Sequence, residues 1–193
     1  APVDTPLILS VGTLVPRKGH DVLLEALARL VDLPWQAVIA GAPRDPATAA
    51  ALVAQSARLG LSERVQFRGE ISEAELSHLY RSAAVFALAS RLEGYGMVFA
   101  EALSHGLPIV TCRNSAIPDT VPDAAGALVP TDDAQAFAVA LRRLMTAPDA
   151  RTMAEAGAQM AGAKLPRWAD TAAVMAAALD RVAPGNAPSP ASE

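Results

Sequence analysis

A chain of 193 residues has room for one ordinary domain, and with 52% hydrophobic but only 4% aromatic residues its core must be built from aliphatic side chains and alanine. A formal net charge of −4 excludes a nucleic-acid binder working by bulk electrostatics, and a single cysteine, Cys112, excludes an intrachain disulfide framework or a multi-cysteine zinc site. No apolar run reaches the ~18 to 20 residues that cross a bilayer, and no basic stretch leads into a signal-peptide core, so the expected setting is a reducing cytoplasm. The chain opens without methionine. Residues 1–6 read as a linker running straight into a strand, as in a piece cut from a longer protein.

In chain order, residues 7–11 form a short apolar run closed by Gly12, which predicts a buried strand. Leu23, Ala26, Leu27, Leu30 and Val31 then recur at helical spacing, with Asp21, Glu25, Arg29 and Asp32 on the opposite side. Residues 35–40 predict a second strand. Leu52, Val53 and Leu59 mark a helix closed by Gly60, and residues 65–67 a third strand. Ser72 and Glu75 have capping-box spacing ahead of Leu76, Leu79 and Tyr80. Residues 84–89 predict a fourth strand. Residues 97–104 are apolar nearly all round, predicting a helix buried between layers, with Gly106 to stop it and Pro108 to forbid its continuation.

A fifth strand is expected over 107–111 and a short sixth over 127–129. Asp132 and Gln135 are placed to cap a helix whose core face is Phe137, Leu141, Leu144 and Met145. Two more helices are expected over 149–163 and 168–182. In the last, Trp168, Val174, Met175 and Leu179 are expected either partly exposed or folded onto the sheet. Residues 183–193 hold three prolines and no large apolar residue, the composition of a disordered tail. The alternation predicts an α/β domain over 7–182: a doubly wound parallel sheet of about six strands with helices on both faces. Such folds bind ligands at the carboxyl ends of strands, where strand order reverses.

Two loops carry chemistry. The first, Gly12-Thr13-Leu14-Val15-Pro16-Arg17-Lys18-Gly19, joins a strand end to a helix start and brings two cations, Arg17 and Lys18, to free helix amides. Phosphate is the natural ligand; two solvated cations in a surface turn is the alternative. The spacing is neither the dinucleotide fingerprint nor a P-loop. The second loop, Glu93-Gly94-Tyr95-Gly96, leads into the helix starting near Met97 and containing Glu101. Two carboxylates there suit the adjacent hydroxyls of a sugar. Alternatively, Glu93 is solvated and Glu101 pairs with a structural arginine.

The stretch Ser90-Arg91-Leu92-Glu93-Gly94-Tyr95-Gly96-Met97-Val98-Phe99-Ala100-Glu101-Ala102-Leu103, followed by Gly106-Leu107-Pro108-Ile109-Val110, closely resembles the E-x7-E signature of the family 4 (group 1) glycosyltransferases. The match extends to Ser10-Val11-Gly12, Lys18-Gly19, Val65-Gln66-Phe67-Arg68-Gly69, Ile117-Pro118-Asp119 and Gly126-Ala127-Leu128-Val129-Pro130. The resemblance implies the C-terminal, Rossmann-like, donor-binding half of a two-domain GT-B enzyme, retaining and metal-independent. Its partners would be a nucleoside-diphosphate sugar, an N-terminal domain of the same full-length protein and an acceptor (glycan, lipid or small molecule). Any attachment to the inner face of a membrane would fall to the missing domain.

By the same resemblance Glu101 holds the ribose, and Glu93 the hydroxyls of the donor sugar. Gly12, Thr13 and the amides of Gly94, Tyr95 and Gly96 line the sugar and diphosphate. The amides of Met97 and Val98 meet the diphosphate, Lys18 neutralises it, and main chain at Arg68 and Ile71 faces the base. No cofactor is implied beyond the donor, and Asp132-Asp133 reads as a helix cap rather than a metal motif. One departure matters: Thr13 stands where the family usually has arginine. Arg17 is the expected substitute cation; the alternative is weakened or absent donor binding, and the rival reading of the whole is a catalytically degenerate GT-B-like binding or regulatory module. His20, His78 and His105 have no metal-ligand spacing, Cys112 reads as a small buried residue, and Ser90 lacks a nucleophile elbow around it.

Overall fold

Six short strands, all parallel, organise the unit that runs to Ala163: Leu7–Val11 (β1), Gln36–Ala40 (β2), Val65–Gly69 (β3), Val85–Leu88 (β4), Ile109–Cys112 (β5) and Gly126–Val129 (β6). This computed structural model describes residues 5–94, 96–114, 116–165, 172 and 175–179. The strand order is β3-β2-β1-β4-β5-β6, so the chain winds outward from β1 to one edge, returns, and winds outward from β4 to the other. The reversal falls between β1 and β4. Strands β4 and β5 are buried at every position, as inner strands of a helix-covered parallel sheet must be, whereas the edge strand β3 alternates.

The helices are His20–Ala28 (α1), Pro46–Arg58 (α2), Glu73–Ser82 (α3), Met97–Ser104 (α4), Ile117–Thr120 (α5), Ala134–Thr146 (α6) and Pro148–Gly162 (α7). On α1, Leu23, Ala26 and Leu27 are fully buried, and Leu30 just beyond joins them. Val31 departs from the expected stripe and is exposed, because α1 ends at Ala28 and the chain has turned before Val31. Asp45 caps α2 by accepting from the amides of Ala47 and Thr48. Ser72 accepts from the Glu75 amide, but the Glu75 carboxylate pairs with Arg68, so half of the capping box forms. Five aromatics go inside: Trp35, Tyr80, Phe86, Phe99 and Phe137 are all buried, while Phe67 is half-buried. Phe86 meets Phe99 edge-on at 5.7 Å and fastens α4 to β4.

Two expectations about helices are corrected. Helix α4 is not enclosed: Phe99, Ala102 and Leu103 are buried, while Met97 and Glu101 are exposed, because α4 packs on β5 and α7 along one side only. The cap of α6 is Asp133, which accepts from the Ala136 amide at 2.8 Å; Asp132 instead adopts φ +60°, the only positive φ outside glycine among the described residues. The single turn α5, with Pro118 in it, is too short to show a period. Of the expected last helix, residues 172 and 175–179 are helical, while Trp168 and Val174 lie outside the described residues, as do 1–4 and 180–193.

Candidate functional site

The loops after β1 and β4 are neighbours because their strands meet at the reversal point. Their contact is closer than side chains would allow. Gly19, with φ +64°, lies so near the Ala89 carbonyl that an added Cβ would stand 1.9 Å from its oxygen, a distance no L side chain tolerates. The Arg91 amide donates to the Arg17 carbonyl at 2.8 Å, a backbone bond across the junction. The loop after β1 tightens into a 3-10 turn, Pro16–Lys18, which turns Lys18 inward.

The Lys18 ammonium donates to Glu93 Oε1 at 2.5 Å, and both side chains are more than 90% buried. The Ser90 hydroxyl lies 3.0 Å from the same oxygen and 3.2 Å from the carbonyls of Arg17 and Leu92, one donor among three acceptors. Each charge of the ion pair is acceptable in this dry position because of the other. Neither alternative reading of these two residues holds: Lys18 is not a solvated cation and Glu93 is not a solvated carboxylate.

Glu101 sits one turn into α4 and is exposed, and its Oε2 accepts from the Tyr80 hydroxyl at 2.9 Å. No arginine pairs with it among the described residues. Burial, then the charge and hydrogen bond of Glu101, push the Tyr80 phenol well above its ordinary range, so it remains a proton donor. Tyr80 is wedged between Phe86 and His105, with ring centroids 6.0 and 5.0 Å away. Gly96, with φ +73°, is the N-cap of α4. Met97 and Val98 occupy its first turn, where amides have no acceptor within the helix and favour an anion.

Beneath the first loop, His20 is 1% exposed, with Nε2 3.2 Å from the Gly12 carbonyl and Nδ1 3.5 Å from Ser10 Oγ. Burial pushes its pKa down to about 4, with the Lys18 charge adding to the effect, so at neutral pH the ring is uncharged and donates from Nε2. The Gly12 amide is also committed, donating to the Ala40 carbonyl at 2.9 Å. Gly12 therefore serves the loop by its lack of a side chain, since a Cβ would touch the Lys18 stem at 3.3 Å.

Arg91 was not singled out by its own chemistry, yet it ties three loops together. Its Nη1 and Nη2 take both oxygens of Asp21 at 2.9 and 2.7 Å, Nη1 also reaches the Pro16 carbonyl at 2.6 Å, and Nε donates to Asp132 at 2.6 Å. The Asp21 hydrogen bonds raise the already high Arg91 pKa further, although partial burial opposes them. For Asp21, burial pushes the carboxyl up, but the bonds and charge of Arg91 outweigh it and hold the group below the usual carboxylate range. The one signal in the sequence is an arginine opening a loop that the fold sets beside the start of α1.

The remaining expected residues are less convergent. Arg17 is exposed, its Nη1 3.4 Å from the Leu92 carbonyl, and it shares an open depression with Thr13, Val15, Pro16 and Arg44. Gly94 is exposed, and Tyr95 lies outside the described residues. Arg68 and Ile71 flank the carboxyl end of β3, two strands away from β1, with Arg68 paired to Glu75 at 2.8 Å. Among the described residues no three His, Cys, Asp or Glu side chains are gathered as a metal site would need. Cys112 is buried, which pushes its thiol pKa up to about 11 and makes it a poor nucleophile.

The sequence profile described as "Glycosyl transferases group 1" matches residues 1–160. The chain belongs to the group 1 glycosyltransferases. It is 34% identical over 175 residues to D-inositol 3-phosphate glycosyltransferase of Xylanimonas cellulosilytica, covering 90% of this chain and 42% of that protein. It is 32% identical over 186 residues to the enzyme of the same name from Mycolicibacterium smegmatis, covering 93% and 41%. The chain thus spans about two fifths of the length of the curated relatives it matches. In structure it resembles sucrose-phosphate synthase from Thermosynechococcus elongatus, with TM-score 0.84, 26% identity, and 94% of this chain against 46% of that one. It also resembles the C-terminal domain of a group 1 glycosyltransferase, LpcC, from Francisella tularensis, with TM-score 0.73, 25% identity, and coverage of 81% and 83%. The six-stranded Rossmann-like sheet of this glycosyltransferase domain is the one its pattern of apolar runs predicts.

Proposed function

We propose that this domain binds the nucleoside-diphosphate sugar of a retaining, metal-independent hexosyltransferase whose acceptor domain lies elsewhere in a longer chain. The observation that carries the reading is the buried Lys18–Glu93 pair, set at the strand-order reversal beside the first turn of α4. A cation and a carboxylate held together there match the two ends of the bond that transfer breaks. Lys18 and the amides of Met97 and Val98 face the departing diphosphate, and Glu93 faces hydroxyls of the sugar, which gains positive charge as the diphosphate leaves. Glu101, aimed by Tyr80, takes adjacent ribose hydroxyls. Main chain near Arg68 and Ile71 meets the base, and Gly94, Tyr95 and Gly96 approach the sugar through backbone.

The curated relatives act, by their name, on D-inositol 3-phosphate, so a phosphorylated cyclitol is the first acceptor to supply to the full-length enzyme. The retaining course and the absence of a metal requirement rest on the family resemblance, with Lys18 and the α4 amides supporting the second. The domain alone, lacking an acceptor site, binds nucleotide and transfers nothing. Calorimetry with UDP, GDP and ADP is the test. At least one binds, and Glu101→Ala, an exposed change that spares the fold, weakens binding by about tenfold through loss of charge-assisted hydrogen bonds to the ribose. Failure of all three nucleotides to bind would favour the rival reading, a catalytically degenerate module with an interaction or regulatory role.

A further inference from the structure

We propose that Arg17 and Arg44 form a second anion subsite, separate from the Lys18–Glu93 pair, that takes a phosphate group. The two arginines come from adjacent strand ends, Arg17 from the turn after β1 and Arg44 from the connection between β2 and α2. Those segments are held together by backbone. Leu14 N–H donates to the Ala42 carbonyl at 2.9 Å, Arg44 N–H donates to the same residue at 2.9 Å, and an added Cβ on Gly41 would lie 2.0 Å from the Gly12 oxygen. On this fixed frame Arg17, Arg44, Thr13, Val15 and Pro16 line one open depression.

Among the described residues the depression has no acidic lining residue. Asp45, next in sequence to Arg44, caps α2 and accepts from the Thr48 hydroxyl at 2.6 Å. Asp21 and Asp132 hold Arg91, and Glu93 holds Lys18. Among the described residues Lys18 and six arginines form ion pairs, and neither Arg17 nor Arg44 is one of them. Arg58, Arg64, Arg81 and Arg143 also stand outside the ion pairs, but Arg17 and Arg44 are the two that share this depression. The guanidinium fork matches phosphate oxygens in pairs, and the Thr13 side chain adds a hydroxyl to the same wall.

The phosphate has two sources: the diphosphate of the donor, or a phosphate carried by the acceptor. Only this choice rests on the function proposed above. Inorganic phosphate is titrated, by NMR of the arginine side chains, into the free protein and into protein saturated with UDP, GDP or ADP. Arg17→Ala and Arg44→Ala each weaken phosphate binding by about threefold or more, the loss of one charge-assisted contact, and Arg58→Ala on the exposed part of α2 leaves it unchanged. Phosphate displaced by the nucleotide identifies the donor diphosphate; phosphate that still binds the nucleotide-saturated protein identifies the acceptor. Unchanged binding in both variants, an equal loss in Arg58→Ala, or no phosphate binding to the parent protein overturns the proposal. If no nucleotide binds while phosphate still depends on Arg17 and Arg44, the donor reading fails and the subsite stands.

Discussion

His20 opens α1 with its ring sealed under the loop that carries Lys18, and its burial has a measurable price in acid. With a folded pKa of about 4 against an ordinary 6.5, the unfolded chain takes up the proton first as pH falls. Stability is therefore whole above pH 6.5 and drains away toward pH 4, by up to ~3 kcal/mol. Urea midpoints measured from pH 8 to 4 should show this slope, and His20→Gln should flatten it; a slope that persists in the variant assigns the effect to another group. Asp21 acts in a lower window: its depressed carboxyl contributes stability that is lost only below about pH 4. At the other end of the site, Tyr80→Phe removes the hydroxyl that aims Glu101 and keeps the ring packing. Nucleotide affinity should fall about threefold to tenfold for a lost hydrogen bond to a charged group, with the thermal midpoint barely moved. An unchanged affinity would mean that Glu101 needs no aiming.

At the scale of elements, the loops after β1, β4 and β6 behave as one piece because Arg91 grips all three. Arg91→Ala should cost ~1 to 2 kcal/mol, the partial exposure of the guanidinium keeping this below the value of a fully buried pair. It should also weaken nucleotide binding. Arg91→Lys should not rescue either property, since one ammonium cannot take both Asp21 oxygens and the Pro16 carbonyl in the same plane. Denaturation and calorimetry on both variants read this directly, and full rescue by lysine would show that charge alone suffices. The inner strands β1, β2, β4 and β5 were legible because a strand covered on both faces is written as a nearly unbroken apolar run. The loop pair was legible because the motif is local in sequence. Arg91 was not, since its partners Asp21 and Asp132 lie 70 and 41 residues away, and nothing local marks them. Asp132 and Asp133 are adjacent acids that serve different ends, one a capping residue and one a partner of Arg91, a division made by backbone geometry that composition does not encode. The exposed side of α4 was hidden for a related reason: its apolar residues run nearly all round, and only the position of α7 decides which of them are covered.

At the scale of the molecule, the sheet is two halves joined at one place. β1 pairs with β2 over five registered positions, but with β4 over only two, Ile8 with Val85 and Leu9 with Phe86. The join is thus the shortest ladder in the sheet, and the candidate site stands directly above it. Lys18 belongs to the first half and Glu93, Glu101 and the start of α4 to the second. Beyond those two positions the Ala84 amide donates to the Leu7 carbonyl at 2.8 Å, and a ligand touching both sets would add a clasp across the join. Amide hydrogen exchange should register this as slower opening of β1 and β4 when the best-binding nucleotide is present. At a hundredfold excess over its dissociation constant, the gain would be about 2.7 kcal/mol. Equal protection with and without nucleotide would mean that the seam never opens ahead of the whole. If the proposed donor binds, the short ladder gives its occupancy a second meaning: a loaded domain would differ from an empty one in how long its two halves stay joined.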